Sequence, residues 1–550
     1  MGALTDNLVP DIVEEEAINK ELEGQIHTVE ESKYFPPELV CHCGNDSEAE
    51  AVYYCYLVEL QHDSYNDFQL HGIILAVRTR LKFDDEILAF DLDVDRGRRL
   101  QVQLYHSKVV TLTSEEIRRC QRFQVTVFRT LLDRNLSKLP DALAAVQSPI
   151  GSAVSDYLLL PSLGSTPEIN WKCVNSFLFP SQVLGEKHMD FCSTQGKKRS
   201  VNTKTGVVCS CMLENSLVCT PHNGHIYCIT GFLDNLDCNS LLDMRTGESI
   251  TYREYYKKRH GINICFEGEP LLRGKHICKV HNYLQRSRTQ KAKDSTDSSV
   301  ELPPEVCSLI MSPVSMSTIY TYLYVPSIMH RIESLIMASN LKRMHLDHCT
   351  LNIFIPTAMV LEAMTTKKCL EKFHLESLET LGDSFLKYAA SIQLFKTYEN
   401  HHEGLLTVKK NKIISNAALC KLGCARKIQG FIRNEPFDLK TWLIPGDNSQ
   451  VHKFNEEFLM PSVKIYSRGK LKIKSKRVAD VVEALIGAYL SSGGELAALS
   501  FMKWLGLDVD FVDTPMPRHF PMNAEKIVNV DTWNPCYITG SMILLCLLKR

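Results

Sequence analysis

Two short stretches of the 550-residue sequence place acidic side chains on apolar helical patterns. In the first, LESLETLGDSFLKY, the acids Glu376, Glu379 and Asp383 share one side of a helix by their spacing. In the second, VADVVEALIGAYL, Asp480 and Glu483 share a face in the same way. Clustered carboxylates repel one another unless a cation lies among them, and a hard divalent ion, Mg²⁺ or Mn²⁺, removes that conflict. The pattern predicts a metal site, with solvated surface acids as the alternative.

Both stretches resemble the signatures of the ribonuclease III family. The first matches E-x-L-E-x-L-G-D and the second matches A-D-x-x-E-A-x-x-G-A, in the family's order. The segment between them, residues 403–423, is similar to the family's middle helices. Gly382 stands directly before Asp383, and its small size predicts close approach of another helix or of a ligand.

The resemblance implies metal-dependent hydrolysis of phosphodiesters in double-stranded RNA, which leaves 5′-phosphate and 3′-hydroxyl ends. The bound ions are expected to lower the pKa of the attacking water and to neutralise charge on the phosphate. Glu376 matches the outer, supporting acid of the signature, and Asn416 matches a residue that orients the metal ligands. The residues at the ligand positions are Glu379, Asp383, Asp480 and Glu483.

A basic segment, KIYSRGKLKIKSKR at 464–477, directly precedes the second acidic stretch. It carries seven Lys or Arg residues and no acid, although the formal net charge of the whole chain is only −2. Positive charge beside an acidic metal site suits a polyanion whose phosphates must approach carboxylates. A solvated loop is the alternative. The predicted contacts to the RNA backbone are Arg468, Lys470, Lys472 and Lys474.

Residues 165–284 resemble a PAZ domain, a small barrel that grips RNA 3′ ends, in the segments HNGHIYCI and ITYREYYKKRHGINICFEGEPLL. The resemblance implies that hydroxyls and basic side chains bind the terminal phosphates while rings such as Tyr227 and Phe232 stack on an unpaired base. Glu269 stands where the family usually has Gln. The alternative is that these tyrosines are ordinary core and surface residues that do not contact RNA. The predicted end-binding residues are Tyr227, Tyr252, Tyr255, Tyr256, Lys257 and Arg259.

The resemblance, together with β-rich patterns between residues 34 and 160, implies a multidomain α+β fold class, in which a β-rich platform and a PAZ barrel precede an all-α ribonuclease III domain. Thr113 with Glu116 predicts a capping box at a platform helix, and Ser327 is the predicted N-cap of the first nuclease helix. The predicted divisions are a platform at 34–164, PAZ at 165–284, a polar linker at 285–315 and the nuclease at 316–510.

The two ends of the chain complete the resemblance, which is to the plant Dicer-like endoribonucleases and, among them, to the Dicer-like protein 2 group. Residues 1–33 are expected to be an acidic helical stretch that ends a double-stranded-RNA-binding-like dimerisation domain. Residues 511–550 are expected to be a truncated tail that lacks a second nuclease domain.

Three functions are compatible with the resemblance. The first is a nuclease that produces small interfering RNAs for RNA silencing and antiviral defence; the others are an RNA-end-binding protein and an idle competitor. The partners implied are double-stranded RNA, a second copy of the chain or another ribonuclease III domain, double-stranded-RNA-binding proteins and Argonaute.

Three absences in the sequence narrow the function classes. No G-x-x-x-x-G-K-[ST] segment occurs, so we expect no ATP site. The twenty cysteines are scattered and follow no signal peptide, which favours a reduced intracellular protein of the nucleus, the cytoplasm or both. The apolar run at 542–548 is far shorter than the roughly 18 residues of a membrane span, so no membrane partner is expected.

Overall fold

The computed structural model describes residues 28–40, 50–62, 70–83, 87–94, 98–133, 157–175, 199–285, 299–347, 353–447, 454–460 and 463–512, without positions 165, 245, 246, 248, 508 and 510 and with isolated positions 144, 146 and 449. The strands in these segments are β1 Thr28–Phe35, β2 Glu50–His62, β3 Ile73–Val77, β4 Ile87–Val94, β5 Arg98–Thr113, β6 Tyr157–Pro161, β7 Ser200–Thr203, β8 Gly206–Cys209, β9 Ser216–Thr220, β10 His225–Leu233, β11 Leu241–Asp243, β12 Ser249–Thr251, β13 Leu271–His276, β14 Ser299–Leu302, β15 Ser308–Met311, β16 Asn455–Met460 and β17 Val463–Lys474. The α-helices are α1 Ser114–Leu132, α2 Trp171–Asn175, α3 Ser210–Leu213, α4 Tyr252–His260, α5 Met316–Leu346, α6 Thr357–Met364, α7 Glu376–Thr397, α8 Glu403–Ile414, α9 Asn416–Ala425 and α10 Ser475–Leu505.

The first sheet contains five strands in the order β4-β5-β2-β3-β6. All neighbours are antiparallel, and β3 and β6 are buried along their whole length, as their continuous apolar sequences require. Helix α1 begins at the predicted capping box: Thr113 and Glu116 exchange the two hydrogen bonds of that motif. The sheet and α1 together enclose Tyr53, Phe123 and Phe128.

The second sheet has the strand order β14-β13-β10-β9-β15 and, with two short hairpins, forms the PAZ-like region. Its outer strands β14 and β15 fall inside the predicted linker. That linker prediction is wrong for residues 299–311, because apolar side chains there complete the sheet and its core. Helix α4 begins at Thr251, whose hydroxyl accepts the N–H of Glu254, and ends at Gly261 in the left-handed conformation (φ 68°).

Helix α5 joins the platform to the nuclease. Its 31 residues span about 46 Å at 1.5 Å per residue, from Tyr322 in the platform core to Leu341 in the nuclease core. The predicted N-cap was wrong: Ser315 caps the helix, which continues through Pro326. Ser327 is instead a buried helical residue whose hydroxyl accepts the backbone N–H of Tyr283.

The nuclease core contains helices α6 to α10 and, beyond the all-α expectation, a three-stranded sheet of order β1-β17-β16. Strand β1 was predicted to be helical. It instead pairs antiparallel with β17 from Thr28 opposite Lys474 to Phe35 opposite Tyr466, because alternate residues such as Tyr34 enter the nuclease core beside Phe431. The predictions for residues 1–27 and 513–550 lie outside the described residues.

Every cysteine in the described segments carries a free thiol, and most are buried. Among these segments, no helix combines the length and the apolar composition that a bilayer-spanning segment requires.

Candidate metal centre and RNA-binding surfaces

Helices α7 and α10 touch at two glycines, and this contact positions the acidic residues. A Cβ atom added to Gly382 would lie 1.8 Å from the carbonyl oxygen of Glu483. A Cβ atom added to Gly487 would lie 2.1 Å from the carbonyl oxygen of Leu378. The two backbones are therefore in direct contact, and only glycine fits at either position. The predicted close approach at Gly382 is confirmed as helix-to-helix contact.

Apolar side chains on both helices fix how each helix is rotated at this crossing. Leu378 and Leu386 from α7 share one buried cluster with Val481, Val482 and Leu485 from α10. Because these residues occupy the interior faces, the acids between them are directed to the rim of the crossing.

Three of the predicted ligands come together there. One carboxylate oxygen each from Glu379, Asp480 and Glu483 lies within 4.8 Å of the others. The acids of α10 are nearly inaccessible, with Asp480 3% exposed and Glu483 8% exposed. The arrangement joins one acid of α7 to two acids of α10, as the sequence pattern predicted.

The electrostatics place Asp383 beside the same cluster. Burial raises the pKa of Glu483 to about 7, and the negative charge of Asp383 is the next largest cause. Burial also raises the pKa of Asp480, and burial followed by the charge of Asp480 raises the pKa of Glu379. Three carboxylates with raised pKa values, with the negative charge of Asp383 beside them, are a donor set that a divalent cation would satisfy, so these residues fit Mg²⁺ or Mn²⁺.

Two cations that were not among the predicted RNA contacts flank the carboxylates, although Arg477 ends the predicted basic segment. Lys387 Nζ lies 2.8 Å from Asp383 Oδ2, one helical turn further along α7. Arg477 Nη1 lies 3.1 Å from Asp480 Oδ2 in the first turn of α10. The spacings i, i+4 and i, i+3 to the acids were the signals that could have identified them.

Among the described residues, neither of the two supporting residues belongs to the cluster of three carboxylates. Glu376 lies one turn before Glu379 and pairs with Lys367 at 3.5 Å and His374 at 3.8 Å. Asn416 is exposed at the start of α9, and within the described residues it forms no hydrogen bond to the carboxylates. Roles for these two residues at the metal therefore stay predictions.

The basic segment is mostly strand β17 and not a loop. Lys470, Lys472 and Lys474 are exposed on one face. Glu30 of β1 pairs with Lys472 at 2.7 Å and with Lys470 at 4.0 Å, so an acid of the chain already contacts two of them. Arg468 is half-buried and donates to the carbonyl of Thr441 at 3.3 Å, which leaves it poorly placed for RNA.

The tyrosines predicted to bind RNA ends divide between core and surface. Tyr227, Tyr252 and Tyr256 are 7%, 4% and 5% exposed. Tyr252 donates its hydroxyl hydrogen bond to Glu301, which assigns it a structural contact. Tyr255 is half-buried, and Lys257 and Arg259 are exposed.

Four histidines lie in the same part of the PAZ region, and of these the sequence reasoning named only His260, as a candidate binder of terminal phosphates. The rings of His222 and Tyr256 are 5.6 Å apart, and those of His222 and His260 are 4.5 Å apart. His225 Nδ1 lies 3.0 Å from His276 Nε2 across neighbouring strands. These histidines come together because strands distant in the sequence pair with each other. Their spacing along the chain therefore gave little indication of the cluster.

Glu269, the departure from the PAZ pattern, has a local structural partner. Its Oε1 accepts the backbone N–H of Asn202 at 2.8 Å and the side-chain amide of the same residue at 2.7 Å. The substitution therefore joins β7 to the loop before β13.

Two protein-family models match parts of the chain. The Ribonuclease III domain model matches residues 376–494, and the PAZ domain model matches residues 187–333. The chain is 47% identical to Endoribonuclease Dicer homolog 2 of Arabidopsis thaliana over 96% of its own length and 38% of that protein. It is 40% identical to Endoribonuclease Dicer homolog 2a of Oryza sativa subsp. japonica over 96% of its own length and 37% of that protein.

The crystal structure of Dicer from Giardia intestinalis is 16% identical and has a TM-score of 0.39, covering 82% of this chain and 56% of that one. The chain thus spans less than two-fifths of the length of the two plant relatives, in the part that matches PAZ and ribonuclease III models. With nearly its whole length aligned to them, this chain belongs to the plant Dicer-like endoribonuclease family.

Proposed function

We propose that the chain is a double-stranded-RNA endonuclease that hydrolyses phosphodiesters at the crossing of α7 and α10. The observation that carries the proposal is the glycine contact, which brings acids from two helices into one cluster of 4.8 Å. Burying like charges in this way costs stability, and nothing in the packing of the core requires it. A functional site explains the arrangement better than a structural one does.

In this proposal Glu379, Asp383, Asp480 and Glu483 hold two divalent ions. The ions would supply activation of the attacking water and neutralisation of charge on the phosphate. The protein's own contribution is rigidity: the helices cannot shift at Gly382 and Gly487, so the carboxylates keep one geometry. Glu376, at the solvent side of α7, would support Glu379.

We also propose that the PAZ region holds an RNA 3′ end while the nuclease cuts, which would give small interfering RNAs for silencing and antiviral defence. Half-buried Tyr255, with the guanidinium carbon of Arg259 5.9 Å from its ring centroid, offers a stacking surface beside positive charge. Exposed Lys257 adds a second cation for a terminal phosphate.

Pairing of nuclease domains is part of the proposal. Helix α8 has no buried residue, and Leu405 and Val408 on it are 42% and 37% exposed, close to the 44% of Phe395 on α7. Such apolar exposure favours a protein partner, either a second copy or another ribonuclease III domain. Light scattering after size-exclusion chromatography would give a dimer mass if the chain pairs with itself. Argonaute and double-stranded-RNA-binding proteins are proposed on the family resemblance alone.

Cleavage of a long RNA duplex in Mg²⁺ tests the nuclease proposal. The unaltered chain should cut, and Glu483→Gln should lower the rate by about 100- to 1,000-fold without lowering the melting temperature of the metal-free chain. Glu399→Gln, an exposed acid of the same domain, is the matched control and should cut normally. Cutting by Glu483→Gln at the normal rate contradicts the site. An unaltered chain that binds overhangs without cutting favours the RNA-end-binding alternative.

A further inference from the structure

We propose that Lys387 and Arg477 are substrate-positioning residues that bind backbone phosphates of the RNA strand at the carboxylate cluster. The proposal rests on the proposed nuclease function and adds the residues that would present the phosphate to the site. Each of the two side chains would change its ion-pair partner when metal binds. In the metal-free chain it pairs with a carboxylate of the cluster, and once a divalent ion binds that carboxylate it pairs with an RNA phosphate.

The two cations approach the cluster from different helices. Lys387 contacts Asp383 on α7 and keeps 54% of its side chain exposed. Arg477 contacts Asp480 on α10 and keeps 36% exposed. Their charges act on the neighbouring acids as well: that of Lys387 opposes the raised pKa of Glu483, and that of Arg477 opposes the raised pKa of Glu379. Both therefore face the cluster while remaining open to solvent.

The position of Arg477 at the start of α10 is unfavourable for the helix. The first turn of α10 holds Lys476 and Arg477 and no acid, and the N-cap residue Lys474 makes no side-chain capping bond. Cations at a helix N-terminus oppose the helix dipole, so this composition is unfavourable for the isolated helix. Positive charge at this position is instead suited to an anion that arrives from solvent.

Binding of a divalent ion would change the partners of both cations. A metal ion bound to Asp383 or Asp480 neutralises the carboxylate and repels a nearby side-chain cation. The carboxylate therefore attracts that cation less than it does in the metal-free chain. Each released side chain is long, exposed and anchored beside the cluster. Backbone phosphates approaching the metal-loaded carboxylates would then be its nearest anions.

Three of the strand β17 cations have partners away from the carboxylate cluster. Lys470 and Lys472 share Glu30, and Arg468 is held by a backbone carbonyl. They also lie on a strand, whereas Lys387 and Arg477 contact the cluster itself. Positioning of the phosphate nearest the metal is therefore assigned to the two helix cations.

The test compares Lys387→Met and Arg477→Met with Lys440→Met, a matched removal of an exposed lysine elsewhere in the nuclease region. Affinity for duplex RNA is measured in Ca²⁺ across a salt series, KM and kcat in Mg²⁺, and Mn²⁺ affinity by electron paramagnetic resonance without RNA. Each of the first two variants should bind RNA about tenfold more weakly and lose about one unit of salt slope. Their Mn²⁺ affinity should be unchanged or higher, since a competing cation is gone. Lys440→Met should match the unaltered chain.

A purely structural role gives a different result, because variants that merely misplace the carboxylates would lose Mn²⁺ affinity together with RNA affinity. That outcome overturns the proposal, as does unchanged RNA affinity in both Met variants. Lys387→Arg and Arg477→Lys keep the charge and should bind RNA within about threefold of the unaltered chain; loss of binding in these also overturns it. Failure of the unaltered chain to bind Mn²⁺ contradicts the nuclease proposal itself, which separates the two failures.

Discussion

In the nuclease region the predicted carboxylates lie where two helix backbones touch, whereas in the PAZ region the predicted tyrosines divide between a buried core and a half-open surface. Gly382 and Gly487 permit the nuclease contact and leave the acids at its rim. In the PAZ region Tyr227 and Tyr256 belong to the core, and Tyr255 remains accessible beside it.

The difference shows that the acidic motif of the nuclease region indicates function more specifically than the tyrosine pair of the PAZ region does. Acids are rarely buried without a cation, so acidic residues on apolar helices indicate chemistry. Tyrosine is both a good core residue and a good RNA contact, so a Tyr-Tyr pair indicates either role. Substitutions that separate packing from contact should therefore behave differently in the two regions.

The largest expected effect is at the helix crossing. Gly382→Ala forces a methyl group against the carbonyl of Glu483, so the helices must separate. We expect the free energy of unfolding to fall by more than about 3 kcal/mol, with loss of cleavage. Gly231→Ala in the PAZ sheet has no heavy atom within 4 Å of the added carbon and should be close to neutral. Chemical denaturation checks both, and a neutral Gly382→Ala would show that the backbones are not in contact.

The next largest effects are those of replacing each of the two neighbouring tyrosines, Tyr255 and Tyr256, by alanine. Tyr256→Ala empties a core position and should cost about 3 kcal/mol of stability. Tyr255→Ala should leave stability intact and weaken binding of duplexes with a 3′ overhang by about 1–3 kcal/mol, with little change for blunt ends. Anisotropy titrations with the two duplexes distinguish these roles. Equal weakening for both ends would remove Tyr255 from end recognition.

The change in the stability of the metal-free chain with pH should be smaller than the effects of these substitutions, but it tests the raised pKa of Glu483. The pKa of Glu483 is raised from 4.5 to about 7, chiefly by burial and then by Asp383, so the folded chain holds this proton longer than the unfolded chain does. Stability in EDTA should therefore fall as pH rises from about 4.5 to 7, by on the order of 2–3 kcal/mol. Glu483→Gln should lose that part of the slope. Thermal melts across pH give the comparison, and identical slopes would contradict the raised pKa.

The smallest effect concerns the strand that contacts the basic segment. Glu30→Gln frees Lys470 and Lys472 and should tighten RNA binding by about two- to threefold at low salt, fading at high salt. Glu31→Gln changes the net charge equally, but Glu31 accepts from Gln429 at 2.5 Å instead of pairing with those lysines. If both variants bind RNA equally more tightly, the effect comes from net charge and not from freeing Lys470 and Lys472.

The elements that depend on local spacing could be predicted from the sequence. The acid pattern on α7 and α10, the close approach at Gly382 and the capping box at Thr113 all follow from periodicity or from neighbours within one turn. The multidomain α+β class followed from the family resemblance and from the β-rich pattern of the platform region, and the structure has that class.

The errors arose where distant parts of the chain meet. Strand β1 pairs with a strand more than 400 residues later, and no local pattern in TVEESKYF reveals that partner. Ser327 before an apolar stripe predicted a helix start, but α5 runs through it because its two ends pack in two different cores. Lys387 resembled an ordinary helix charge, and Arg477 was counted only as the end of the basic segment, until the crossing placed both at the carboxylates.

Binding of Mn²⁺, followed by electron paramagnetic resonance, tests the metal centre most directly. Glu379→Gln alters α7 alone and Glu483→Gln alters α10 alone, so a site shared between the helices predicts at least about tenfold weaker Mn²⁺ binding in each. Glu399→Gln should bind as the unaltered chain does. If either helix variant retains full Mn²⁺ affinity, the two helices do not form one metal centre.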